Sequence, residues 1–272
     1  MIEPFLSNPF MLRALVAGAL VSIACGIVGT LIVLRGLAFM GDALAHGVLP
    51  GIALAMLLGF PGILGAALGA VIMVSGISFI TQRSRLSADT AIGLLFVGML
   101  ALGVVIVSRS NSFTGDLMRI LFGDILGIQD SALITQFIAT LLILGTTIIC
   151  IRPFLLLCYS PEQAQVAGFS TKLYHNLMLA LIALTVIVSF QTVGTLLVFG
   201  MLIAPAGAAV LIAHRIESMM VIAAAFGMLA VYVGLLVSYY FNFAAGASIA
   251  CIATLIFFII FIIQNMRSAA AH

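Results

Sequence analysis

The run Arg35-Gly36-Leu37-Ala38-Phe39-Met40-Gly41-Asp42-Ala43-Leu44-Ala45-His46-Gly47-Val48-Leu49-Pro50-Gly51-Ile52 sets an acid and an imidazole inside an otherwise apolar segment. Asp42 and His46 are four residues apart, so on a helix they lie one turn above each other on the same face, within reach of a shared ligand. Ionisable groups at membrane depth are costly and by default mark a pathway or a site. One oxygen and one nitrogen at that spacing are acceptable to Zn²⁺ or Mn²⁺. The same spacing also allows an intrahelical Asp-His hydrogen bond that only neutralises the two groups. Gly47, Pro50 and Gly51 imply close backbone approach and an interrupted helix, and Gly47 with Gly51 makes a GxxxG pair for tight packing of another helix.

Composition places this run in a membrane. The chain has 272 residues, 64% hydrophobic and 7% charged, with a mean hydropathy of +1.38. Soluble domains carry about 25% charged residues, so an all-α polytopic membrane protein is expected. A spanning helix takes about 20 apolar residues, which leaves room for eight or nine spans in a single transmembrane domain, residues 1–272. A formal charge of +2 implies no nucleic-acid partner. Cys25, Cys150, Cys158 and Cys251 are scattered without a CxxC pair and read as buried small hydrophobes. The N-terminal segment has no basic n-region or small-residue cleavage site, so its apolar run is expected to stay as a membrane helix.

Outward from the Asp42 run, the apolar segments are Leu12 to Leu34 before it, its own continuation to Phe60, and then Pro61 to Ile80 with the Gly65 and Gly69 pair. Asp89 is expected to cap the next run, which ends near Ser108. Arg109 to Asp130, with Asp116, Arg119 and Asp124 among apolar residues, suits a short interfacial helix better than a span. A fifth run extends from Ala132 to Cys158, and a long polar insertion from Tyr159 to Asn176 follows. Within that insertion Ser160, Pro161 and Glu162 form a helix start, and Gly168 is its stop. Leu177 to Phe190 leads through Gln191 and Thr192 to a second interrupted stretch, Val193 to Ala208, containing Gly194 and Pro205. Paired broken helices commonly flank a transport site. Met219 to Tyr239 and Ala244 to Ile263 are the last two spans.

Placing Arg35, Arg83, Arg85, Arg152, Lys172, Arg215 and Arg267 on one side leaves Arg13, Arg109 and Arg119 on the other. The first group is expected to face the cytoplasm, with the C-terminus and the Glu162 helix.

The Asp42 run and the Val193 to Ala208 stretch resemble the signatures of ABC-type permeases that import zinc, manganese or iron. The resemblance spans nearly the whole chain. It implies an importer permease-type bundle in a bacterial cell membrane, a cytoplasmic ABC ATPase dimer, an external metal-binding protein, and no permanently bound cofactor beyond the transported metal. It further implies that Glu162, Ala164 and Gly168 belong to the helix presented to the ATPase, although Ser160-Pro161 stands where such permeases often carry an acidic residue. Two ligands are too few for one ion, so a homodimer with the pathway between two copies, each bringing Asp42 and His46, is expected. In that mechanism of alternating access, Gly47, Pro50, Gly51, Gly194 and Pro205 mark the helix breaks along the pathway.

The remaining residues add little chemistry. His175 and His214 read as surface histidines. The chain has no GxxxxGK[ST] motif, so ATP hydrolysis is expected of a partner chain, and no HExxH motif that would suit an intramembrane metalloprotease. A stand-alone ion-coupled secondary metal transporter is the alternative reading of the same Asp-His pair.

Overall fold

The computed structural model describes residues 8–84, 87–107 and 125–270. The mixed segment with Asp116, Arg119 and Asp124 lies outside the described residues. Those described form twelve α-helices and a short 3₁₀ turn at Ile125–Gly127, with no strand among them. In chain order they are α1 Pro9–Leu34, α2 Ala38–Gly47, α3 Leu49–Leu57, α4 Gly62–Arg83, α5 Ala88–Val107 and α6 Asp130–Ile149. The remainder are α7 Ile151–Tyr159, α8 Pro161–Val166, α9 Thr171–Val193, α10 Thr195–Val210, α11 Ile216–Phe241 and α12 Ala245–Ala270.

Eight of these segments are long and apolar enough to cross a membrane, counting α2 and α3 together as Ala38–Leu57. The ninth, α10, has 16 residues. At 1.5 Å per residue that is about 24 Å, short of a hydrocarbon core of about 30 Å. It nonetheless returns the chain from the far end of α9. Val210 and Arg215 line one groove with Leu34 and Tyr159, and the Gln264 amide donates to the Leu211 carbonyl at 2.9 Å, which brings the C-terminal end of α12 to the same pole. The Ser78 hydroxyl donates to the Asn176 side chain at 3.3 Å, so the end of α4 joins that pole too. Arg35, Arg83, Arg152, Lys172, Arg215 and Arg267 thus share one end of the bundle, while Arg13 sits at the other, ion-paired to Asp130 at 3.1 Å.

α1 is the hub, packed by α10 and α11 through small residues. A Cβ on Gly26 would fall 2.6 Å from the Ala224 backbone nitrogen, and one on Gly29 would collide with the Leu202 carbonyl. In lipid such close backbone approach replaces the hydrophobic effect as the source of helix association. A buried polar cluster adds hydrogen bonds between α6 and α9. Thr192 donates to the Gln136 side-chain carbonyl at 3.1 Å, and Thr140 on α6 donates to the Leu20 carbonyl of α1 at 3.3 Å.

Three boundaries differ from expectation. The run from Ala132 to Cys158 is two helices divided at Cys150, because Pro153 suits the first turn of a new helix and not the interior of a long one. α5 is capped by Ser87, whose hydroxyl accepts from the Thr90 amide at 3.1 Å, while Asp89 lies inside the first turn. α9 starts at Thr171, capped by Ser170, so Tyr174, His175 and Asn176 are helical and not part of a loop.

Candidate functional site

The turn into α2 is tight and fixed by backbone bonds. Gly36 has φ of +65°, the Leu37 amide donates to the Ile32 carbonyl at 3.0 Å, and the Gly36 amide donates to Val33 at 3.2 Å. Only a left-handed residue closes a helix end in this way without a Cβ penalty. Asp42, six residues after Gly36, and His46 lie one turn apart with Oδ1 and Nε2 separated by 3.4 Å. Their side chains are 27% and 24% exposed, so both retain an open face. The neighbouring helices hold α2 in place. Gly41 lies against Leu202 and Phe199 of α10, and the His46 ring sits edge-on to Phe96 of α5, with 6.0 Å between centroids.

The helix breaks directly after the pair, at Val48. Pro50 has no N–H for the His46 carbonyl four residues earlier, and its ring crowds that carbonyl. Gly47, Pro50 and Gly51 pack closely against neighbouring helices, and Pro50 and Gly51 also line an apolar groove with Gly65 and Gly69. Gly47 faces the Met73 sulfur, Pro50 lies against Gly103 of α5, and Gly51 meets Gly65 and Gly69 of α4. The second interruption is at Gly194, with φ of +83° and ψ of 161°, a conformation essentially restricted to glycine. Buried Pro205 stands inside α10. α9 and α10 both pack on α2, so the two broken stretches adjoin. Among the described residues no cluster of three or more His, Cys, Asp or Glu side chains exists, and Asp42 and His46 stand together as a pair.

At the Arg35 pole, α7 and α8 form an angled pair. The Ser160 hydroxyl accepts from the Gln163 amide at 3.4 Å, Pro161 occupies the first turn of α8, and Gly168 closes the segment with φ of +83°. Glu162 and Gly168 are exposed, as is Val166, whereas Ala164 is buried. Phe154 of α7 is fully buried against the Tyr174 ring at 6.4 Å, which fixes this pair on the start of α9. Ser160→Ala is expected to cost about 1 kcal/mol locally, the worth of an N-cap. Hydrogen exchange at the Gln163 amide should then quicken by about fivefold, with the rest of the bundle unchanged.

Sequence reasoning missed the side chains that join this pair to α2. Arg35 donates through Nη1 to the Leu157 carbonyl at 2.8 Å, and Nη2 lies 3.0 Å from His175 Nδ1. His175 is half-buried and bonded, not a free surface histidine. Residues 140 apart in sequence share no periodicity that could have revealed this contact. Burial lowers the Arg35 pKa, with Cys158 opposing the shift, and burial raises the Cys158 thiol against the influence of Arg35.

The sequence profile of the ABC 3 transport family matches residues 7–264. The manganese transport system membrane protein MntC of Listeria monocytogenes is 37% identical over 261 residues, 96% of this chain and 93% of that protein. The chelated iron transport system membrane protein YfeD of Yersinia pestis is 38% identical over 267 residues, 97% of this chain and 88% of that protein. Among solved structures, PsaBC from Streptococcus pneumoniae in complex with Fab aligns with a TM-score of 0.85 at 36% identity, covering 96% of this chain and 94% of that one. A putative metal-chelate type ABC transporter in an inward-facing conformation aligns with a TM-score of 0.77 at 16% identity, a likeness of fold.

Proposed function

We propose, from the premise that this chain belongs to the ABC 3 transport family, that it is the membrane-spanning permease subunit of an ATP-driven importer whose substrate is a divalent transition metal. The observation that carries this reading is the Asp42–His46 pair, held 3.4 Å apart with an open face on a helix that breaks immediately after it. The relatives named for manganese and iron support a transition-metal substrate, and the oxygen-nitrogen donor set also accepts zinc.

Two donors do not complete a coordination sphere, so the substrate passes between two copies of the chain, each presenting Asp42 and His46. The six basic residues gathered at the Arg35 pole support a cytoplasmic position in a bacterial cell for that pole and for the C-terminus. Residues 1–272 form one permease domain. Separate cytoplasmic ATPases dock on α8, where Glu162 is exposed, Ala164 seats the helix on the bundle and Gly168 ends it. A metal-binding protein delivers substrate at the Arg13 pole. ATP-driven closure of the ATPases shifts α8 and the broken helices, exposing Asp42 and His46 to each side in turn.

Reconstitution with the ATPase subunit tests this directly. Uptake of zinc, manganese and iron, each titrated alone, should stop on ATP depletion and survive collapse of the ion gradient. The opposite pattern would favour a gradient-driven secondary transporter. Equilibrium binding should saturate at one metal ion per two chains, and a ratio of one per chain would place a complete site within a single copy.

A further inference from the structure

We infer that Arg35 is a positioning residue that couples movement of the α7–α8 pair to the helix carrying Asp42 and His46. This rests on the importer reading above, but the residues and contacts are independent of the metal pair.

Arg35 follows α1 and stands three residues before α2, in a turn locked by Gly36 and by the Leu37 and Gly36 amide bonds already described. Movement of its guanidinium is therefore passed to the start of α2. That guanidinium holds two further elements. Leu157 lies in the last turn of α7, where helix carbonyls have no intrahelical donor, and Arg35 Nη1 supplies one at 2.8 Å. A cation at a helix C-terminus also opposes the negative end of the dipole. On the other side of the fork, Nη2 meets His175 Nδ1 on α9 at 3.0 Å. A guanidinium only donates, so Nδ1 accepts and the ring proton is on Nε2. One planar group at the turn between α1 and α2 thus bonds to both α7 and α9.

Packing connects the two elements only indirectly. α2 packs on α1, α3, α4, α5, α9 and α10, whereas α7 packs on α1, α6, α8 and α9, so α1 and α9 are their shared neighbours. The two elements meet extensively only through common neighbours. The Arg35 fork adds a direct link from the turn before α2 to separate acceptors on α7 and α9, and a planar guanidinium held at two nitrogens is fixed in orientation as well as distance.

The test uses the complete complex, with its ATPase, in proteoliposomes, measuring manganese moved, ATP hydrolysed, ATPase co-purification and equilibrium manganese binding. Arg35→Met and His175→Leu are expected to lower manganese moved per ATP by about tenfold, the effect of losing a hydrogen bond to a charged group. Basal hydrolysis, assembly and manganese binding should stay within about twofold of wild type, because coupling and binding are separate quantities. His175→Asn, whose Oδ1 takes the place of Nδ1, should keep the wild-type ratio. An unchanged ratio in Arg35→Met would overturn the inference. So would a joint fall in assembly, binding and uptake, which marks a structural staple, or identical behaviour of His175→Asn and His175→Leu. A wild-type complex that hydrolyses ATP without moving manganese, zinc or iron would instead overturn the importer reading, and the inference with it.

Discussion

Changing Asp42 and His46 together to alanine is expected to abolish metal uptake while leaving the protein folded, and the second half of that result is as informative as the first. Perturbing groups that only support a ligand lowers metal affinity by about 10–100-fold, so removing both donors should reduce uptake by about two orders of magnitude or more. An acid within a membrane helix carries an insertion cost, up to about 2.5–3.5 kcal/mol at the helix centre, and Asp42 lies within the span Ala38–Leu57, so its removal relieves a penalty instead of creating one. The 3.4 Å separation of Oδ1 and Nε2 gives the pair little to contribute to stability, for a good charge-assisted bond is about 2.7–2.9 Å. Thermal denaturation of the double variant should match or exceed wild type. Lost uptake with retained stability identifies a substrate site. Lost uptake with lost stability would make the pair structural, leaving selectivity to an external binding protein.

How much of this was legible in the sequence depended on whether the cause was local. The break after His46 was readable because Pro50 removes one specific donor, and the cap at Ser160 and the stop at Gly168 because each is decided by a few consecutive residues. The Gly51 and Gly65 contact was readable as two separate GxxxG pairs, though not as a pair of facing helices. The division at Cys150 was hidden by continuous hydrophobicity across residues 132–158, within which Pro153 alone marked a new helix start. Ser170 was obscured in the opposite way, by polar residues that looked like loop and are the first turns of α9. Composition could not show that Arg35 reaches Leu157 and His175, since that contact arises only when distant helices are stacked.

The second large effect is expected at the crossing of α3 and α4. Gly51→Leu and Gly65→Leu should each prevent the bundle from assembling, because the opposing surface is backbone and cannot move aside. A Cβ on Gly51 collides with the Gly65 carbonyl and approaches the Gly69 amide nitrogen to 3.1 Å, and a Cβ on Gly65 collides with the Gly51 carbonyl and lies 2.7 Å from the Ala55 Cβ. Overpacking a core where side chains can yield costs about 1–3 kcal/mol. Here the two helices must separate, which gives up the packing that holds them together in lipid. Gly145→Ala is the control, since a Cβ at that position meets nothing within 4 Å. Removing a mid-helix glycine there should stabilise α6 by up to about 1 kcal/mol. Size-exclusion profiles and melting temperatures in detergent separate the cases: aggregation or loss of the folded peak for the two leucine variants, and a peak like wild type for Gly145→Ala. A well-folded Gly51→Leu protein would mean that α3 and α4 do not cross as closely as their glycines suggest. The platform beneath the Asp42–His46 helix would then rest on α5, through Phe96 and the contact of Gly103 with Pro50, together with α9 and α10.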